Sequence, residues 1–329
     1  MAVAPALFVL CCRYFCLLEH DRGVKHALAR GLLTRHEQVH FVFEPGSTYS
    51  SRMRDTSNGD PVSIRGHRQE TFSVVPGRAD AGFVLFCDHA ANELPPGYGT
   101  LGLPESELAR HIGYDIGAAG ITREIARSLG LPAIMSHYSR LLIDLNRGSD
   151  DPTLIMRISD GAVVPGNRHI DQAERERRTA LYYKPYHRAA AALIDQCIAA
   201  GVPPAILSIH TYTPAWKGVP RPWHASVLWD KDPRLALALL DGLRADGSLI
   251  VGDNEPYTGR LKGDSMWTHG TTRGLAHAIV EVRQDLVVTE TGQSEWGGRL
   301  ARIIEGLMGC QNMSPRLREI EFHGSHADI

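Results

Sequence analysis

The chain has 329 residues, 43% hydrophobic and 22% charged, which excludes a collagen-like, disordered or disulfide-scaffold protein and leaves room for a sizeable core. Lys and Arg total 35 against 37 Asp and Glu, a net charge of -2, so no sequence-wide basic excess advertises a nucleic-acid or anionic-membrane partner. The six cysteines include no CxxC pair, which suits a reducing compartment and a cytoplasmic location.

The apolar run from Ala6 to Leu18 is interrupted by Arg13. It is short of the roughly 20 residues a membrane span needs and lacks the pattern of a signal peptide. Gly46 to Gly77 is rich in Ser, Arg, Asp and Gly without sustained periodicity, so residues 1–70 read as a peripheral or disordered extension and the stretch to Gly77 as a linker. Residues 71–310 read as a single domain and 311–329 as a C-terminal tail. Gly82 to Cys87 predicts a buried strand, Ser106 to Gly120 a helix, and Thr122 to Gly130 a second helix with a glycine stop. Strands are expected at Ala133 to Ser136 and Arg140 to Leu145. Asp171 opens a long helical pattern to Ala200 that Pro185 should kink or break.

Further strands are predicted at Pro204 to Ile209, Ala225 to Trp229, Ser248 to Val251 and Ala276 to Val282, with helices at Asp232 to Arg244 and Gly292 to Leu307. Such alternation means an α/β sandwich around a largely parallel sheet. In these folds ligands gather at the carboxyl ends of strands. The apolar runs there end in Asp88-His89, Asn146-Arg147, His210 and Glu281-Val-Arg283.

Imidazoles at the ends of separate strands, His89 and His210, suit a shared divalent metal such as zinc. Glu281, among apolar residues, suits a general base for amide hydrolysis; its structural alternative is a buried ion pair. Arg140, Arg147, Arg168 and Arg283 are candidates for binding substrate carboxylates, and Arg140 or Arg283 for polarising the scissile carbonyl. The competing reading makes them partners of Asp144, Glu281 and Asp285. Asp88 and Asp144 could orient liganding imidazoles. Cys87 as nucleophile is disfavoured by its sequence proximity to His89. Neither a Gly-x-Ser-x-Gly elbow nor a phosphate-binding glycine loop occurs.

The segments Cys87-Asp-His-Ala-Ala-Asn-Glu-Leu-Pro95, Ser139-Arg-Leu-Leu-Ile-Asp-Leu-Asn-Arg147, Ser208-Ile-His-Thr-Tyr-Thr-Pro214, Gly252-Asp-Asn-Glu-Pro-Tyr257 and Glu281-Val-Arg-Gln-Asp-Leu286 resemble the N-formylglutamate amidohydrolase family, over roughly residues 75 to 308. The resemblance implies a three-layer α/β sandwich with a largely parallel mixed sheet, of the zinc-exopeptidase-like (phosphorylase/hydrolase-like) kind. It also implies that His89 and His210 bind zinc and that Glu281 is the base. Asn146 and Arg147 would hold a substrate carboxylate, and Asn254 and Tyr257, in a segment that reads as a turn, would contact substrate. His269 would line the pocket or cap a helix.

One departure concerns the third ligand. Zinc exopeptidases of this kind carry a glutamate three residues after the first histidine, where this chain has Asn92, followed by Glu93. Asn92, Glu93 or, from a helix, Asp115 could complete the site. The expected activity is hydrolysis of a small N-acyl amino acid such as N-formylglutamate, with a small molecule as partner and neither nucleic acid nor membrane. The alternative is a binding protein that kept the pocket without full metal coordination.

Overall fold

The computed structural model describes residues 71–328. The expectations for residues 1–70 lie outside the described residues. Seven strands form one sheet: β1 (Phe72–Val75), β2 (Phe83–Cys87), β3 (Ala133–Ser136), β4 (Ala205–Tyr212), β5 (Ala225–Leu228), β6 (Val251–Asp253) and β7 (His277–Arg283). Their spatial order is β1-β3-β2-β4-β7-β5-β6. Strands β3, β2, β4 and β7 run parallel, while β1 on one edge and the β5–β6 pair on the other run against them. This is a largely parallel mixed α/β sheet, as the alternating pattern predicts.

Helices cover both faces because the strands are apolar on both sides. On the first face, Leu85, Cys87, Leu207, Ile209, Val280 and Val282 pack against α1 (Ala118–Leu129), α3 (Pro233–Arg244) and α5 (Glu290–Gly309). On the second, Val84, Phe86, Ile206 and Ile279 meet α2 (Lys184–Ala199) and α4 (Ser265–His269). Strand β4 is buried throughout, yet on the second face its alternation runs Ile206, Ser208, His210. Polar groups thus begin where β4 approaches its carboxyl end.

The long helical pattern after Asp171 divides as Pro185 requires. Asp171 caps Gln172–Arg178 by accepting from the Glu174 amide, a π turn follows at Thr179–Tyr183, and α2 begins at Lys184 with the proline, which lacks an amide hydrogen, in its first turn. Gly130 ends α1 in a left-handed conformation.

Four local expectations are corrected. Arg140 to Leu145 is an irregular loop, not a strand: Leu141 enters a small core cluster with Leu103 and Ile112, whereas Leu142, Ile143 and Leu145 enter the second-face core. A continuous apolar run here reflects burial against two clusters without a ladder. Ser106 to Gly120 is not one helix: its start lies in the turn Glu105–Leu108, its last three residues open α1, and the chain between is irregular. A Cβ at Gly113 would stand 2.3 Å from the Leu108 carbonyl oxygen, and Gly117 adopts φ 86°, so the chain between them turns. The strand expected at Ser248 to Val251 is displaced to Val251–Asp253, because the Asp246 side chain holds Ser248 in a turn. Phe72–Val75, within the linker-like stretch, forms the short edge strand β1.

Residues after 310 dock on the domain. Leu317 enters the first-face core, and the buried Arg234 donates to the carbonyls of Glu319 and Glu321 while pairing with Asp232. Among the described residues, no helix is long and apolar enough to cross a membrane.

Candidate active site

The carboxyl ends of the parallel strands bring His89, Asp115, His210 and Glu281 to one side of the sheet. Glu281 of β7 is in register with His210 of β4, and both follow second-face residues at two-residue spacing, so their side chains leave the sheet on the same face. His89 lies just beyond β2, and its ring centroid is 4.9 Å from that of His210, at 80°. Asp115 comes from the glycine-flanked turn before α1; its amide donates to the His89 carbonyl, fixing the turn against β2.

Each imidazole is held between two carboxylates. His89 Nε2 is 2.7 Å from Asp144 Oδ1, and its Nδ1 faces Asp115 Oδ1 at 3.4 Å. His210 Nδ1 is 2.8 Å from Asp115 Oδ2, and its Nε2 faces Asp88 Oδ2 at 3.4 Å. Asp88 accepts further hydrogen bonds from Tyr186, Ser265 and Ser208. Arg140 donates from Nε and Nη2 to Asp144, and its Nη1 stands 3.5 Å from Asp115.

Asp88, Asp115 and Asp144 are all buried, and Arg140 is the guanidinium paired with two of them. This excess of negative charge sets the protonation of the site. Burial alone raises these carboxyls, but His210 and His89 outweigh it: Asp88 is held at about 2, and Asp115 is lowered further. For Asp144, burial is outweighed mainly by Arg140 and then His89. Burial disfavours the charged form of His210, yet its bond to Asp115 and the nearby Asp88 carboxylate push it up to about 10. Burial pushes Glu281 up to about 7, against the opposing pull of His210.

One donor atom each from His89, Asp115 and His210 lies within 4.8 Å of the others. His89 Nδ1 and His210 Nε2 are buried with no hydrogen-bond partner among the described residues. A His/Asp/His donor set with an orphaned imidazole nitrogen and surplus buried carboxylate suits a divalent cation. Asn92 instead donates from Nδ2 to the Leu108 carbonyl, and Glu93 is exposed, its backbone bridged to Tyr138. Asp115 is the carboxylate that reaches both imidazoles.

The remaining residues divide clearly. Arg283 is engaged by Asp285 and by the carbonyls of Arg221, Pro222 and Trp223. Arg168 is exposed. Asn146 accepts from the Ser265 amide, and Arg147 donates to the Asn146 carbonyl without an ion pair among the described residues. Asn254, at φ 54°, accepts from the Trp229 and Gly259 amides and thereby shapes its turn. Tyr257, 45% exposed, accepts from Arg221 Nη2. Cys87 points into the first-face core, away from the histidines, and burial pushes its thiol up, which removes it as a nucleophile.

His269 closes α4 beneath the site, its Nε2 2.9 Å from His187 Nδ1 and the rings stacked at 5.2 Å. Burial lowers His187 to about 4 and His269 to about 3. An unfolded chain would take up these protons near pH 6.5, so the stability they contribute is present above that pH and is lost as pH falls toward 4. Between pH 7 and 5 we expect a loss of about 2 to 4 kcal/mol. Denaturant melts of wild type and His269→Gln check this; an equally steep acid slope in the variant would clear the pair of responsibility.

A mixed sheet with histidines and carboxylates where its parallel strands end is an α/β fold carrying a candidate metal site. Residues 81–288 match the N-formylglutamate amidohydrolase family, and the chain belongs to that family. The gene product Atu2144 from Agrobacterium tumefaciens is similar at 32% identity, over 73% of this chain and 95% of that one, with a TM-score of 0.68. The structure of N-formylglutamate amidohydrolase from Ralstonia eutropha JMP134 shares the fold at 21% identity, over 72% of this chain and 97% of that one, with a TM-score of 0.56. No curated protein matches the chain at a significant level.

Proposed function

We propose that the protein is a zinc-dependent amidohydrolase that cleaves the amide of a small N-acyl amino acid such as N-formylglutamate, in a reducing, cytoplasmic setting. The observation that carries this reading is the convergence of His89, Asp115 and His210 beside Glu281, in a family of amidohydrolases. His89, Asp115 and His210 would hold the metal, which when bound polarises a carbonyl and makes a water molecule acidic near neutrality. Asp144 hydrogen-bonds the outer nitrogen of His89 and sets that ring's orientation, while the Asp88 carboxylate stands 3.4 Å from the outer nitrogen of His210. Asp115 supplies the carboxylate that position 92 lacks, which favours turnover over a pocket that only binds.

Glu281 takes the proton of the attacking water on a carboxylate oxygen and returns it to the departing nitrogen. Arg140, fixed between Asp144 and Asp115, shares the charge that develops on the carbonyl oxygen. Arg147, whose Nη1 donates to the Asn146 carbonyl, binds a carboxylate of the substrate; Tyr257 lines the rim, and Arg283 and Asn254 shape it.

Protein prepared with zinc is expected to carry about one metal per chain and to release formate or another acid from N-acyl amino acids. Dialysis against a chelator should abolish the release, and added zinc should restore it. Acid release indifferent to the chelator would remove the metal from the account. Ligand binding with neither metal nor turnover would identify a non-catalytic pocket.

A further inference from the structure

Arg221 is 7% exposed, yet among the described residues no carboxylate pairs with it. Its guanidinium lies 5.6 Å from the ring centroid of Tyr212, 5.7 Å from Trp216 and 5.1 Å from Tyr257. Nη1 donates to the carbonyl and hydroxyl of Thr213, and Nη2 to the Tyr257 hydroxyl. A guanidinium has five N–H groups, and Nε, which with Nη2 forms the edge that grips a carboxylate in bidentate fashion, has no hydrogen-bond partner among the described residues. Burying a cation without an anion is costly unless a ligand supplies one.

The position of Arg221 suggests that ligand. Tyr212 follows His210 by two residues on the same face of β4, roughly 6 to 7 Å further along the strand. Arg221 therefore stands beyond the His210–Glu281 pair, whereas Arg147, also without an ion pair among the described residues, enters by the loop that carries Asp144 to His89. Arg140 and Arg283, by contrast, are occupied by Asp144 and Asp285.

We propose that Arg221 is the specificity-determining residue for a second carboxylate, binding the acidic side chain of an N-acyl amino acid whose α-carboxylate lies at Arg147. This rests on the amidohydrolase reading above for its substrate, though not for its binding test. The aromatic rings of Tyr212, Trp216 and Tyr257 keep the guanidinium oriented and dry, which strengthens its hold on an anion.

The test compares N-formylglutamate with its neutral isostere N-formylglutamine, and in parallel titrates L-glutamate by calorimetry. R221Q is expected to lower kcat/KM for N-formylglutamate by about 10- to 100-fold while N-formylglutamine changes little, and to weaken L-glutamate binding by a similar factor. An aromatic staple of purely structural purpose would lower both substrates equally, and that result, or unchanged L-glutamate binding, overturns the proposal. If wild type hydrolyses neither substrate, the amidohydrolase reading fails while the calorimetric comparison still decides the role of Arg221. Should R221Q melt far below wild type, R221K decides: it keeps the charge but not the fork, so a reduced glutamate preference is expected and an unchanged one is contradictory.

Discussion

Glu281→Gln is expected to keep its metal and fold and to lose about 10²- to 10⁴-fold in kcat. Glutamine has nearly the same shape, and Glu281 lies half-buried in β7 between His210 of β4 and Ser226 of β5, so the backbone pairing is unaffected. What changes is proton chemistry: an amide cannot accept the proton that the attacking water must lose. The carboxylate is suited to this because burial pushes it up to about 7, where it can both take and return a proton near neutrality. Single-turnover kinetics with a metal determination on the same sample measures both expectations. Turnover within a few-fold of wild type would move the base elsewhere.

Asp115→Asn is expected to weaken metal binding by about 100-fold or more, since the substitution keeps the side chain's outline and removes its charge. Its carboxylate faces His89 Nδ1 at 3.4 Å and His210 Nδ1 at 2.8 Å, so both imidazoles lose the same partner. The metal-free variant should also show His210 shedding its proton at lower pH than wild type, because Asp115 is the foremost group raising it to about 10. Asn92→Ala is the contrast: its amide serves the Leu108 carbonyl, and metal affinity should stay within a few-fold. Zinc titration and imidazole NMR on the two variants check these outcomes. The reverse ranking would return the third ligand to position 92.

Much of this arrangement is legible in the amino-acid pattern, for a physical reason. Buried parallel strands such as β4 and β7 announce themselves as short apolar runs, and the polar residues that interrupt their carboxyl ends, His210 and Glu281, stand out against that background. Arg140 to Leu145 escapes the same rule because burial between two clusters produces the same composition as a ladder does. Asp115 is nameable from the sequence as a third ligand reaching from a helix, but it comes instead from a turn, which the close approach of Gly113 to Leu108 and the positive φ of Gly117 direct toward His89. Arg221 lies in an irregular segment beside Gly218 and Pro220, where no periodicity marks it; its setting depends on aromatic rings that Tyr212, Trp216 and Tyr257 contribute from separate positions. Asn254 could be read as a turn residue from its company of Gly and Pro, and its side chain does bond the turn amides.

The most direct measurement is anomalous diffraction at the zinc edge from crystals grown with zinc. The account predicts a single strong peak enclosed by His89, Asp115 and His210, with the Glu281 carboxylate open to the same space. Zinc bound elsewhere, or a fully occupied crystal with no peak among those three side chains, would contradict it.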